Sequence, residues 1–389
     1  MPRRPAPSAR HACTGTRGRR RPAAGFSLIE LMIALVVGAA LLAIVVRMAA
    51  GTLATYRSDE YLARLQENAR YALEQIGFSG RMAGFSGCAR AINNLLDTSS
   101  AAYEPALYDL LPLNVGDPPR SVSGWEYDST GDGDDYAIAT LDPDGAAPDD
   151  WSDADANDLV DDLQNLVIPG TDVLVLKHAE QVLSVGATGN TPADAASISL
   201  SGASGVNQNA LILVTDCQGS DLFQNRAANN ASTLSRGSGG SPGNVPPSTN
   251  LSHAYGPDME IYTFAVEVYY VGRGASGEPA LFRRSYASGW SGDTQEIVEG
   301  VENMQVIYGE DTDGDSLADV YRIATDVGNW GSVVALRVGL LLRTVESGRQ
   351  ENDARVYDLL GTGITPLAED ARRHRRVFTT TIALRNRVG

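Results

Sequence analysis

The sequence predicts an α+β fold: one long amino-terminal helix, membrane-spanning and then amphipathic, packed on a largely antiparallel, β-rich head. Three observations lead there. An apolar run near the start continues without proline into a segment with helical apolar spacing. Beyond residue 85 the pattern changes to short β-rich runs with a period of two. The chain has 389 residues, 43% apolar and 20% charged, enough to bury a substantial core.

The apolar run spans Leu28 to Val46, nineteen residues with one charge, Glu30. As a helix it covers about 28 Å, close to the hydrocarbon thickness of a bilayer. Twelve of the nineteen are Leu, Ile or Val. These contribute roughly −4 to −7 kcal/mol to insertion, against about +3 for a carboxylate at mid-membrane. Insertion therefore wins, the more so because Glu30 lies near one end. Seven arginines precede the run (Arg3, Arg4, Arg10, Arg17, Arg19, Arg20 and Arg21), whereas Arg47 and Arg57 are the only bases soon after it. The positive-inside rule then leaves the amino terminus in the cytoplasm and carries residues from about 47 onward across the membrane. A secretory signal peptide has a similar plan, but its core is shorter, and no A-x-A-like site follows before Gly51.

No proline occurs between Pro22 and Pro105, so the helix can run on. Leu62, Leu65, Ala69, Leu73 and Ile76 recur at helical spacing between Arg64, Glu67, Arg70 and Glu74. That pattern predicts an amphipathic continuation to about residue 80, with Gly77, Gly80, Gly84 and Gly87 ending it. Strands are then expected at 135–140, 172–177, 210–215, 260–271, 280–286, 302–308, 332–344 and 376–385. Two stretches, 128–162 (rich in Asp, Gly and Pro) and 225–252 (rich in Ser, Gly and Asn), read as long solvated loops.

Composition excludes several chemistries. Lys177, the only lysine, follows Leu176 in an apolar run, so no phosphate-binding P-loop exists. Four scattered histidines form no H-E-x-x-H, and neither G-x-S-x-G nor a strand-linked G-x-G-x-x-G is present. The formal charge of −17 argues against gripping nucleic-acid phosphate. Enzyme signatures are lacking, and the chain is read as a non-enzyme.

Gly25-Phe26-Ser27-Leu28-Ile29-Glu30-Leu31, after an arginine-rich leader and before the apolar run, resembles the processing site of type IV prepilins. The resemblance implies a membrane peptidase that cuts between Gly25 and Phe26 and methylates the new amino-terminal Phe26. It further implies that Glu30 pairs with the amino-terminal amine of a neighbouring subunit during assembly. A helix-end carboxylate reaching into the headgroups is the plainer alternative. Further stretches resemble the PilW family of minor pilins: 65–73, 81–88, Thr215-Asp216-Cys217, 221–223, 308–315, 333–343 and the closing 376–387. On this resemblance the chain comprises a leader removed on maturation (1–25), a membrane and filament-core helix (26–46), an amphipathic continuation (47–84) and a periplasmic β-rich, pilin-like head (85–389).

Several residues take on roles in that light. Cys13 would leave with the leader, so Cys88 and Cys217 are expected to form a disulfide in an oxidising compartment; two buried free thiols are the alternative. Asp311, Asp313, Asp315 and Asp319 form D-x-D-G-D-x-x-x-D, a candidate calcium turn whose glycine falls one place earlier than in an EF-hand and whose bidentate glutamate is replaced by Arg322. A solvated Asp-rich turn is the alternative, and Asp128, Asp132, Asp134 and Asp135 make a weaker version. Arg372, Arg373, Arg375 and Arg376 around His374 read as a solvated basic loop or a contact for acidic loops of a neighbour. His178 and His253 read as ordinary surface or packing residues; Trp290 and Trp330 are core or interface.

The expectation is an inner-membrane, single-pass minor pilin that enters the pilus and helps to prime assembly, supporting twitching and adhesion. Its partners would be the prepilin peptidase and other minor and major pilins. The competing readings are a tip adhesin or DNA-binding minor pilin, and a type II secretion pseudopilin.

Overall fold

The computed structural model describes residues 25 and 27–386, apart from 89–91, 109–119, 182–184, 287–292 and 350. Residues 1–24 of the leader, Cys13 among them, and also Phe26 and Trp290 lie outside the described residues. The chain divides into two units, residues 1–57 and 58–389.

Helix α1 (Leu28–Met82) has 55 residues and enters both units. Within the first unit, Leu31, Ile33, Leu35, Val37, Leu41, Leu42, Ile44 and Val45 are each more than half exposed. A helix that is apolar all round and uncovered by protein calls for another apolar solvent. Its most apolar eighteen-residue window has a mean hydropathy of 2.8, so length and composition suit a membrane span.

In the second unit the same helix becomes one-sided. Leu65, Ala69, Ala72 and Ile76 are buried and Leu62 and Leu73 half-buried, while Arg64, Glu67, Arg70 and Glu74 face water. Gly77 and Gly80, expected to end the helix, lie inside it. Gly80 is needed for packing: a Cβ there would come within 2.9 Å of Ile382 Cγ2. Termination falls at Gly84, which adopts a left-handed φ of 81° and donates its N–H to Lys177 O at 2.9 Å.

Eighteen strands are described: β1 (Ile92–Asn94), β2 (Val122–Tyr127), β3 (Asp135–Ala137), β4 (Trp151–Ser152), β5 (Val173–Gln181), β6 (Ser197–Ser199), β7 (Leu211–Thr215), β8 (Ser220–Gln224), β9 (Thr233–Ser235), β10 (Glu260–Arg273), β11 (Pro279–Ser285), β12 (Asp293–Glu299), β13 (Val301–Glu310), β14 (Val320–Arg322), β15 (Val333–Arg343), β16 (Tyr357–Leu359), β17 (Thr362–Thr365) and β18 (Arg375–Ala383). Nine of them form one sheet, ordered β1-β8-β7-β10-β5-β2-β4, with β11 and then β12 paired beside β10. A four-stranded sheet runs β14-β13-β15-β18. Pairing is antiparallel except for β1 with β8 and β3 with β17. The fold is α+β.

Period-two alternation builds the core. Along β10, Phe264, Val266, Val268 and Tyr270 face a cluster with Trp125, Trp151 and Leu163. Tyr269 and Val271 point the other way, into a core shared by helix residues Leu65–Ile76 and by Val306, Leu336, Leu340 and Ile382 of the four-stranded sheet.

The two stretches read as solvated loops are better anchored than their composition suggests. Residues 128–162 contribute buried Trp151, Leu159 and Val160, and Trp151 Nε1 donates to Thr171 O at 2.8 Å. Within 225–252, Leu234 and Leu251 are buried, and the guanidinium of Arg236 donates to three carbonyls, of Ala195, Thr249 and Pro247. Backbone carbonyls need donors wherever a segment is covered, and one arginine supplies several.

Candidate functional site

At the amino-terminal end, Leu31 N donates to Ser27 O at 3.1 Å, which opens α1 beside Gly25. Glu30 sits in the first turn, where the helix dipole favours a carboxylate, and it is exposed on the uncovered apolar stretch. Once the apolar faces are covered, a carboxylate placed there is costly unless a cation pairs with it.

Cys88 and Cys217 form a disulfide with Cα atoms 4.9 Å apart. Gly87 makes the approach feasible: its φ is 79°, and a Cβ there would lie 2.5 Å from Thr215 Cγ2. The bridge ties the segment after α1 to the turn between β7 and β8. Both cysteines are exposed and bonded to each other, so the alternative of two buried free thiols does not apply. Beside them, Asp216 Oδ2 meets His253 Nε2 at 2.9 Å, and Ser252 and Tyr255 donate to fully buried Asp221. Burial pushes the Asp216 carboxyl up, but His253 and the amides of Gln218 and Gly219 outweigh it and hold it below the usual range. His253 is thus a positioned residue of this turn, and His178 is buried 3.6 Å from Glu267.

The Asp-rich turn follows β13. Ligand oxygens of Asp311, Asp313 and Asp315 lie within 4.8 Å of one another. The same carboxylates also brace the turn: Asp311 accepts from Gly314 N at 2.6 Å and Ser316 N at 2.9 Å, Asp313 from Asp315 N at 3.1 Å, and Asp315 from Leu317 N at 2.8 Å. Asp319 does not join them. Its Oδ2 accepts both the amide and the hydroxyl of Thr312 at 2.7 Å, and those bonds lower its pKa. The fourfold set expected from spacing is therefore three residues. Asp128, Asp132, Asp134 and Asp135 do not converge in that way among the described residues.

The basic cluster is not a solvated loop. Arg375 is buried and donates to Glu302 at 2.6 and 3.0 Å. Arg343 bridges Glu278 at 2.7 Å, Glu302 at 3.4 Å and Asp370, and Arg373 bridges Glu278 and Asp370, both at 2.9 Å. Arg372 and Arg376 alone of the four stay exposed. The positive charge is largely spent inside the head. Glu302, with no apparent role in the sequence, is its fully buried counterpart; the signal was a carboxylate interrupting the apolar run of β13.

Asn386 was also unforeseen as a functional contact. Its Nδ2 lies 3.1, 3.2 and 3.3 Å from the carbonyls of Arg81, Met82 and Ala83, the unsatisfied end of α1. The closing residues therefore cap the helix.

Residues 268–386 match the family described as type IV pilus-assembly protein W, and residues 20–46 match the prokaryotic N-terminal methylation motif. Both matches are consistent with a PilW-family type IV minor pilin. Comparisons with curated proteins and with solved structures found no match. The PilW-matching region runs from within β10 to Asn386, so it contains the ionic cluster, the Asp-rich turn and the helix cap. The methylation motif contains Gly25, Phe26 and Glu30 and marks a processing substrate. Neither family is one of enzymes, and the disulfide lies outside both matched regions.

Proposed function

We propose that this prepilin is cleaved after Gly25, methylated on Phe26 and held in the inner membrane by residues 26–46 as a single pass, with its head in the periplasm, and that it then enters the pilus as a minor pilin that helps to prime assembly. The observation that carries this reading is the contrast along α1: an uncovered apolar stretch within the methylation motif, then a one-sided stretch buried in the head. The arginine-rich leader and the disulfide support the orientation, since the first favours the cytoplasm and the second an oxidising compartment. Prepilin peptidase and other minor and major pilins are the partners this requires. Twitching and adhesion would be consequences of assembly. Glu30→Ala is expected to insert and be cleaved yet be lost from sheared filaments; normal recovery in filaments would contradict the pairing of Glu30 with a neighbour's amine. Deletion separates this reading from that of a tip adhesin: loss of piliation supports assembly, while intact pili with lost binding support adhesion.

A separate proposal concerns calcium. Convergence of Asp311, Asp313 and Asp315 favours a hard cation held by three carboxylates, with Asp319 left on Thr312. Calorimetry on the full chain in detergent should give calcium heat that Asp313→Asn removes; no heat and no melting shift at millimolar calcium would dispose of it.

A further inference from the structure

Two carboxyl groups lie in the seam where the nine-stranded sheet meets the four-stranded one. Asp172, just before β5, is 2% exposed: its N–H donates to Met304 O at 2.9 Å, and its Oδ2 accepts Val306 N at 2.8 Å, so it fastens β5 to β13. Glu126, in β2, is 4% exposed, accepts Thr130 Oγ1 at 3.2 Å and faces Ala324 N, beyond β14, at 3.4 Å. Tyr308 of β13 completes the cluster. Its hydroxyl is fully buried with no hydrogen-bond partner among the described residues, and it abuts Gly124 so closely that a Cβ there would lie 2.1 Å away.

The groups facing this seam are acids. Asp326 adds further negative charge beside Glu126, and Tyr308 brings a phenol. Arg120 lies over Trp330, itself packed edge-on against Tyr308, but its guanidinium is engaged by Asp155 at 2.8 Å. Two anions without a base in a dry seam are costly, and one proton held there relieves both burial and repulsion.

We propose that Glu126 and Asp172 share a proton in the folded head, so that the two sheets grip each other more firmly in acid than in alkali. Burial is the chief cause of the raised affinity for protons at both positions; at Glu126 the neighbouring Asp172 adds to it, and Asp172 is pushed up to about 8. The folded values lie above those of the unfolded chain. The stability is thus complete below the unfolded carboxylate range near pH 4 and is lost as pH rises, levelling off above about pH 8. Carboxylates held low elsewhere, such as Asp370, act only on the acid side of this window.

The test is unfolding of the full chain in detergent, followed by tryptophan fluorescence between pH 5 and pH 9. The wild type should lose up to about tenfold in its folding equilibrium constant per pH unit until about pH 8. Asp172→Asn should flatten that slope, and Glu126→Gln, which keeps the Val306 contact intact, should do the same if Asp172→Asn folds poorly. Slopes in both variants equal to that of the wild type would overturn the shared proton, as would a wild type that gains stability from pH 5 to pH 8.

Discussion

A carboxylate in water needs no partner, whereas one in a dry site needs a base, a proton or a set of donors, and this chain uses all three solutions. Glu302 has its bases. Arg375→Ala would leave it buried and under-compensated, and a loss of about 3–5 kcal/mol is expected in denaturant titration. Arg376→Ala, one residue along on the exposed side, should change stability by no more than about 0.5 kcal/mol. Equal effects would contradict the division of the cluster into buried and exposed arginines. Glu126 and Asp172 take the proton, and Asp221 takes donors, from Ser252 and Tyr255. Among the described residues Glu30 has none of these, and its partner is sought on another subunit.

Among the elements, α1 is decisive, and its two ends are built differently. Ser27 and Glu30 open it, while Gly84 and the side chain of Asn386 close it. Asn386→Ala is expected to cost about 1 kcal/mol and to raise amide exchange in the last turn near Met82, leaving the first turns unchanged; unchanged exchange there would contradict the cap. Much of this helix was legible in the sequence, because apolar period and the absence of proline are local properties. The strands with strong apolar patterns, β5, β10, β13, β15 and β18, were legible for the same reason. Others were not. β12 is largely exposed and reads as polar, β2 carries Ser and Gly, and β8 mixes Ser and Asp with its apolar residues because Asp221 is buried on donors. The Arg372–Arg376 run was misread because charge adjacency says nothing of faces: once β18 begins, Arg375 turns inward and Arg376 outward. The Asp-rich turn was visible as a motif, but the turning of Asp319 onto Thr312 depends on the fold of the loop.

At the level of the whole molecule, charge is segregated along the chain. Of 31 basic residues, seven stand in the leader, leaving 24 against 48 acidic ones in the remainder. That balance is better suited to a cation or a basic neighbour than to nucleic acid. The exposed disulfide spans 129 residues, and its loss should cost roughly 5 kcal/mol in the chain-entropy picture. Cys88→Ser with Cys217→Ser is therefore expected to unfold at distinctly lower denaturant and to accumulate poorly in the membrane; an unchanged midpoint would contradict that role. All of this presupposes that the chain is processed as a prepilin. The most direct measurement is the amino-terminal residue and its mass in protein recovered from membranes or pili: N-methylated Phe26 is the result the account expects, and an intact Met1 would contradict it.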